Sequence, residues 1–375
     1  MEVKLKQGMT PKLRFPGFSG GWEKKTLGEI SEFFDNKRIP LKSTDRQKRA
    51  GKYPYYGASG IIDYIDDYIF DGEYIILGED GANIIDRSSR LVFLAKGKFW
   101  VNNHAHVFQA HDSNYFLTEY LESLKYDKYN TGTAQPKLNS EVLKNLPIII
   151  PPASEQKKIA SFLTVIDNWI NNLGTQREQL EQYKKGMMQK IFSQEIRFKD
   201  ENGKDFPDWK ERMLGDFAKI TTGSSNREDS TELGDYVFFD RSMDARASRK
   251  YIFDDEALIV AGEGLDFKPR YYHGKFDLHQ RAYAILKNGA EVEWKYLYYY
   301  IYQFRRYFSR MAVGTTIPSL RLPIFQKMQV KLPTKSEQEK ISQFLTVIDE
   351  AVESKATMIA MAIEWKKGLV QQMFV

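Results

Sequence analysis

Residues 154–167 read SEQKKIASFLTVID, and residues 336–349 read SEQEKISQFLTVID, with eleven of fourteen positions identical at an offset of 182. Repetition at about half of a 375-residue chain fixes the architecture before any local reading does. The offset holds on both sides. Gly132, Thr133, Pro136 and Leu138 of TGTAQPKLN fall on Gly314, Thr315, Pro318 and Leu320 of VGTTIPSLR, and YKKGMMQKIF (from Tyr183) falls on WKKGLVQQMF (from Trp365). Further out the register drifts: FPGFSGGWEKKTLGEI from Phe15 returns as FPDWKERMLGDF from Phe206, and GKFWVNNHAHVF from Gly97 answers GKFDLHQRAYAI from Gly274. The chain is two copies of one unit, a variable body followed by a well-preserved tail. Two copies make a pseudo-dimer; a solenoid needs at least three.

The tail reads as a helix. Pro151 and Pro152, and Pro333 in the second copy, precede Ser154 and Ser336, which are predicted N-caps; Ser336 and Glu339 have capping-box spacing, whereas Lys157 takes that place in copy one. Beyond the cap, apolar residues recur every seven: Ile159, Ile166, Leu173, Leu180 and Met187, flanked by Phe162, Trp169 and Tyr183. The second copy offers Ile341, Ile348, Ala362 and Leu369, flanked by Phe344, Ala351, Met358 and Trp365, and breaks occur at Gln176 and Lys355. Such heptads predict two long helices that pair as an antiparallel coiled coil, the alternative being that each stripe buries against its own body. The expected fold is α+β: recognition bodies at 1–152 and 194–334 alternating with helices at 153–193 and 335–375.

Within the bodies the pattern shortens. YIFDGEYIILGEDGANII, RLVFLAKGKFWV and YIFDDEALIVAGEGLDF mix β-rich runs with Gly and Asp turns, predicting a mixed, partly antiparallel sheet. Helices are expected over Tyr115–Tyr129 and Trp294–Arg310, each leading into the GT-x-x-P-x-L turn.

Apolar residues make up 42% of the chain, yet the longest uninterrupted runs are a few residues, so no membrane span is expected. MEVKLKQGMTPK lacks the apolar core of a signal peptide. With no cysteine there are no disulfides or thiolate metal sites, which suits a reducing cytoplasm. A net charge of +5 says little by itself, but its placement says more. NKRIPLKSTDRQKRAGK, from Asn36, carries Lys37, Arg38, Lys42, Arg46, Lys48, Arg49 and Lys52 against Asp45 alone. Next to it KYPYYGASG supplies Tyr55, Tyr56 and Ser59 as phosphate or base contacts. In FWVNNHAHVF, Asn102, His104 and His106 share one face of a predicted strand, with Asn103 between them. His279, Arg281 and Tyr283 take the corresponding places in copy two, with Gln280 opposite Asn103; such amide and guanidinium groups pair with adenine or guanine edges. Arg227, Arg241, Arg246, Arg249 and Arg270 add donors to a body otherwise rich in Asp and Glu. Thr133, Gln135 and Lys137 beside the first GT turn, and Thr316 and Arg321 beside the second, complete the candidate DNA contacts. For any one Asn or His, a turn role competes with base reading, and the basic run also reads as a solvated loop. His104 and His106, two residues apart without Cys, do not make a metal site.

No catalytic motif is present. The Gly-Lys pairs at Gly51, Gly97, Gly203 and Gly274 continue with Tyr, Phe, Asp and Phe, so no phosphate-binding P-loop forms. There is no nucleophile elbow, no His-Glu-x-x-His and no amino-methyltransferase tetrapeptide of the (N/D)PP(Y/F) type. GEGLDF, from Gly262, is an isolated glycine pair. Glu155–Lys157 spells a nuclease-like E-x-K that copy two loses at Glu339.

The order body, helix, body, helix, together with P-x-x-SEQ-x-x-I-x-x-FLTVID at both helix starts, resembles the specificity subunits of type I restriction–modification systems over essentially the whole chain. PYYGASGIIDYI, GEDGA (from Gly78), NNHAHV and RFPGFSGGWEKKTLGEI are similar to a common type of target-recognition domain; body two departs from it at YYGASGIIDY and NNHAHV. The resemblance implies a non-catalytic subunit in which each body reads one half of a bipartite, asymmetric target in double-stranded DNA, with the helices as a ruler between the halves. It implies docking of two modification (methyltransferase) subunits on the helices, whose residues for docking or for the coiled coil are Ile159, Phe162, Ile166, Trp169, Leu173, Leu180, Ile341, Phe344, Ile348, Met358 and Trp365. Restriction subunits with ATPase and nuclease activity would join them. This chain would bind no cofactor; S-adenosylmethionine, ATP and Mg would sit on the partners. Three other readings compete: an enzyme with an unrecognised site, a coiled-coil adaptor that does not bind DNA, and a specificity subunit of a related system with differently organised partners.

Overall fold

The computed structural model describes residues 10–242, 244–289, 291–314 and 316–375; Thr315 of the second GT pair and the opening residues 1–9 lie outside them. Its contacts divide the chain into two units, Met1–Leu173 with Met358–Val375, and Gly174–Thr357.

In the first unit the strands are β1 (Glu23–Thr26), β2 (Ser31–Phe33), β3 (Ala50–Gly57), β4 (Gly60–Ile65), β5 (Phe70–Gly78), β6 (Val92–Val101), β7 (Ala105–Ala110) and β8 (Pro147–Ile150). β1 and β8 form an antiparallel ribbon, and the other six form one sheet in the order β2-β7-β5-β6-β3-β4. Only the β3–β6 pair is parallel. The run Ile75-Ile76-Leu77 is apolar throughout because this sheet is covered on both faces. Ile75 and Leu77 join Phe108 and Phe116 in the main core, while Ile76 points the other way into a cluster with Phe99 and Val107.

The second unit repeats the plan with β9 (Lys210–Met213), β10 (Ala218–Thr222), β11 (Tyr236–Phe239), β12 (Arg246–Ser248), β13 (Phe253–Ala261), β14 (Arg270–Leu278), β15 (Ala282–Lys287) and β16 (Gln329–Leu332). β9 and β16 form the ribbon, the sheet order is β10-β15-β13-β14-β11-β12, and β11–β14 is the parallel pair. Leu258 and Val260 face one core and Ala257 and Ile259 the other. The mixed sheet expected from the short strands is present in both copies.

The helix of the first body is shorter than expected, and that of the second is broken in two. Asn114–Ser123 is capped by Ser113, whose hydroxyl accepts from Phe116 N, and stops well before Tyr129. Side chains take the last carbonyls there: the buried Tyr126 hydroxyl donates to Leu121 O (2.8 Å) and Arg87 to Glu122 O (2.6 Å). The second copy has two pieces, Trp294–Phe304 and Arg306–Met311.

The long helices run Ala153–Phe192 and Lys335–Met373, the first about 60 Å long at 1.5 Å per residue over its 40 residues. Each starts one residue before the predicted serine cap, so Ser154 and Ser336 lie in the first turn. The repeated Ser-Glu-Gln triplet has another use. Gln156 Nε2 folds back to Pro151 O (3.0 Å) and Gln338 Nε2 to Pro333 O (2.9 Å). Glu155, buried, grips Arg14 Nε and Nη2, each at 2.7 Å. Glu337, also buried, holds Arg197 Nε (3.2 Å) and Nη2 (2.8 Å). The triplet therefore ties each helix to the stretch that leads into its body.

The helices pair antiparallel: Asp167 meets Lys366 in the first unit, and Asp349 meets Lys184 in the second. Both predicted burials operate. Ile159 and Ile166 pack with Leu369 and Met373 and also with Trp22 and Phe116 of body one, while Ile341 and Ile348 pack with Met188 and Ile191 and with Trp294 and Tyr296 of body two. Each such buried Ile or Leu contributes about 1.5–3 kcal/mol. Phe162 and Phe344 lie edge-on to Phe15 (5.4 Å) and Phe198 (5.7 Å). Leu173 is buried and Leu180 half-buried. Trp169, Met358 and Trp365 depart from the predicted seam and face solvent, 44%, 37% and 50% exposed.

Candidate nucleic-acid interface

At the end of β5 the chain turns through GEDGA, and three stretches that are distant in sequence meet. Glu79 N donates to His104 O (2.8 Å), Gly81 N to Pro136 O (3.0 Å) and Leu138 N to Glu79 O (2.8 Å). The GEDGA loop is thereby clamped between the NNHAH turn and the GTAQPKL loop. The second unit is built the same way: Gly262 N donates to Arg281 O (2.8 Å), Gly264 N to Pro318 O (3.0 Å) and Leu320 N to Gly262 O (2.7 Å). Gly81 (φ +112°) and Gly264 (φ +142°) occupy backbone regions that side chains disfavour, which accounts for the glycine in each middle loop. GEGLDF, an isolated glycine pair in the sequence, is that middle loop in copy two.

Several candidate residues turn out to shape this junction. Asn102 Oδ1 accepts from His104 N (2.8 Å), and in copy two His279 Nδ1 accepts from Arg281 N (2.9 Å). Both side chains are buried and close the same two-residue turn. Burial first, and then the Arg241 charge, hold the His279 imidazole below the usual histidine range, which keeps Nδ1 an acceptor. His106 is fully buried, with Nε2 on Leu138 O (2.8 Å) and Nδ1 facing Asp35 (2.7 Å). Burial pushes the Asp35 carboxyl up, but His106, the Val107 amide and Arg38 outweigh it and hold the group below the usual range. The Tyr55 hydroxyl accepts from Leu41 N (2.9 Å) in a buried site, and Tyr56 stands edge-on to Phe99. Tyr55 and His106 are fully buried, and Asn102, His279 and Tyr56 nearly so.

The arginines of the basic run are neutralised by acids, and its lysines are not. Arg38 binds Glu79 (2.7 Å) and Ala105 O (2.8 Å), Arg46 binds Asp63 (2.9 Å) over the Tyr55 ring, and Arg49 binds Asp66 (2.9 Å). Lys37, Lys42, Lys48 and Lys52 remain exposed. Ser59 sits apart, lining a cleft of about 410 Å³ with Arg90, Tyr115 and Asp167.

What the junction does present is a polar surface that differs between copies. In copy one Asn103, His104, Thr133, Gln135 and Lys137 are exposed; His104 Nδ1 is braced by Asp80 (2.7 Å) and Lys137 by Glu79 (3.2 Å). In copy two Arg241 and Arg281 converge on Glu263, and Gln280 Nε2 bonds Asn226 Oδ1 (2.5 Å). Arg227, Arg241 and His279 border a hollow of about 270 Å³ with Asp240 and Ser242. Arg246 lies 3.5 Å from Asp240, while Arg249, Thr316 and Arg321 are exposed. Glu79 and Glu263 were not among the sequence candidates. A Gly-Glu follows each long apolar strand in the sequence, but the two are offset by one residue, and the junction places Glu263 level with Asp80.

The family described as type I restriction modification DNA specificity domain matches the chain twice, over residues 19–182 and 207–362. A putative type I restriction enzyme specificity subunit of Haemophilus influenzae is 26% identical over 364 residues, covering 91% of each chain. The MjaVIII specificity subunit of Methanocaldococcus jannaschii is 24% identical, over 89% of this chain and 87% of its own. Among solved structures, the type I restriction–modification S subunit from M. genitalium superposes with a TM-score of 0.66 at 18% identity, covering 98% of this chain and 99% of that one. A chain from a study of type I system assembly and conformational transition gives 0.53 at 16% identity, covering 95% and 98%.

Proposed function

The chain belongs to the type I restriction–modification DNA specificity family, and from that premise we propose that it reads a bipartite, asymmetric target and carries no catalytic centre of its own. One observation carries the reading. Both units build the same three-loop junction but furnish it differently, with His104 and Lys137 in one and Arg241 and Arg281 in the other. Like scaffolds with unlike exposed side chains suit two readers of two different half-sites. Lys37, Lys42, Asn103, His104, Thr133, Gln135 and Lys137 are the contacts of the first body; Arg227, Arg241, Arg246, Arg249, Gln280, Arg281, Thr316 and Arg321 are those of the second.

Two modification subunits dock on the helices. Exposed apolar side chains that recur at equivalent places support this: Val165 and Val347 are each 64% exposed, and Tyr183 and Trp365 are 51% and 50% exposed. Like patches on like helices suit two copies of one partner. Restriction subunits then join, and S-adenosylmethionine, ATP and Mg belong to the partners' chemistry.

The test is a map of methylated adenines in a methylation-free host that expresses the cognate modification subunit with and without this chain. A two-part motif that requires this chain is the expected result. A folded pair of subunits that leaves no motif would overturn the proposal and favour an adaptor role.

A further inference from the structure

Two arginines of the second unit share one carboxylate. Arg241 Nη1 lies 2.7 Å from Glu263 Oε2, and Arg281 Nη1 lies 3.1 Å and 3.3 Å from its two oxygens. Both arginines are exposed, 43% and 57%, while Glu263 is 18% exposed. Their backbones are fixed as well. Arg270 reaches across to Asp240 O (2.9 Å) and Ser242 O (3.0 Å), the carbonyls on either side of Arg241, and Arg281 N is held by His279.

This arrangement wastes charge and gains direction. A phosphate contact profits from net charge, and a carboxylate between two guanidiniums cancels half of it. A base contact profits from aim, because a guanidinium must lie in the plane of the base edge to bond in two places. With Nη1 spent on Glu263, the Nε/Nη2 edge of each arginine makes no hydrogen bond among the described residues. That is the edge with which Arg14 grips Glu155 in two bonds. A fork of two N–H groups matches the O6 and N7 acceptors of guanine in the major groove.

We propose that Arg241 and Arg281 read guanine in the half-site belonging to the second body, with Glu263 as the positioning residue that aims both. The inference rests on the bipartite reading above and adds the base and the residues that recognise it. The first body has no such arginine pair among its described residues: Asp80 stands at the position of Glu263 and holds His104, the counterpart of Arg281 (2.7 Å).

The test selects bound duplexes from a randomised pool with the complex of this chain and its modification subunit. His104→Ala identifies the half-site of the first body by altering it. Arg281→Ala and Arg241→Ala are expected to lose discrimination, roughly ten- to a hundredfold, at guanine positions of the other half only. The half that stays intact shows that the chain is folded. Glu263→Gln should weaken the same guanine preference while strengthening binding to random duplex, since it removes a negative charge without removing the side chain. A general structural defect would lower both. The proposal fails if that half-site has no guanine, if the arginine variants weaken all sequences evenly, or if Glu263→Gln lowers discrimination and random binding together. A wild-type complex that selects no two-part motif would instead overturn the bipartite reading itself.

Discussion

Lys366 Nζ lies 2.7 Å from Asp167 Oδ1 and 2.8 Å from Glu119 Oε2, and Lys184 repeats the contact with Asp349. The Asp that ends FLTVID in one copy thus pairs with the first Lys of the K-K-G motif in the other. A tyrosine from each body completes the set: the Tyr115 hydroxyl donates to Asp167, and the Tyr299 hydroxyl donates to Asp349 at 2.7 Å. Burial, and then the bond to Asp167, hold the Tyr115 phenol far above its ordinary range, so it stays a donor at any physiological pH. The two repeated motifs read in the sequence as one helix's start and end are therefore two halves of one contact.

Lys366→Ala should be costly, because it leaves Glu119 (8% exposed) with Arg90 alone and Asp167 (31% exposed) with the Tyr115 hydroxyl. A loss of about 2–4 kcal/mol is expected in a denaturant melt. Adding Asp167→Asn should recover part of it, since one of the stranded charges is then gone. An additive double variant would mean that the two residues do not interact.

Arg197 faces a harsher case, since Glu337 has no exposure at all. Arg197→Ala is expected to cost about 3 kcal/mol or more. Trp209 Nε1 also donates to Glu337 (3.1 Å), so Glu337→Gln in the same chain should rescue stability by removing the charge while keeping an acceptor. Calorimetry on the single and double variants decides this.

The fold was legible because its signals are periodic and repeated, whereas the details of the interface depend on contacts across long stretches of chain. The two long helices, the mixed sheet and the duplication follow from spacing. Ser154 and Ser336 misled as caps because Gln156 and Gln338 anchor the turn through proline carbonyls, a choice that composition does not reveal. His106 and Tyr55 looked like surface readers, since alternation along a strand tells one face from the other but cannot say that loops cover both. Glu79 and Glu263 escaped notice because a search for cationic and amide donors passes over an acid until the side chains it holds, Arg38 and Lys137 or Arg241 and Arg281, are seen beside it.

Salt dependence should separate free cations from paired ones. Lys42 is exposed, whereas the charge of Arg46 is matched by Asp63 at 2.9 Å. For the assembled complex, Lys42→Ala should weaken binding evenly across sequences and reduce the slope of log K against log salt by about 0.9. Removing the pair together, Arg46→Ala with Asp63→Ala, should leave that slope nearly unchanged, because the pair contributes no net charge to release counterions. Equal slopes for Lys42→Ala and the wild type would remove Lys42 from the interface.

The turn at residues 279–281 should make the second body acid-sensitive where the first is not. His279 Nδ1 must stay unprotonated to accept from Arg281 N, and burial with Arg241 holds its pKa below the ordinary value. An unfolded histidine titrates near about 6.5, so below that pH the unfolded chain binds a proton that the folded chain does not. The stabilising contribution is complete above about pH 6.5 and declines as pH falls, until the folded imidazole itself takes up a proton. Asp35 and Asp240, both held below the usual carboxylate range, lose their contributions separately, below about pH 4. Copy one closes the same turn with Asn102, which does not titrate. His279→Asn should therefore fold, match the wild type near pH 7.5 and flatten the decline between about pH 6.5 and 5. Urea melts across that range would show it, and a decline as steep as that of the wild type would place the sensitive group elsewhere.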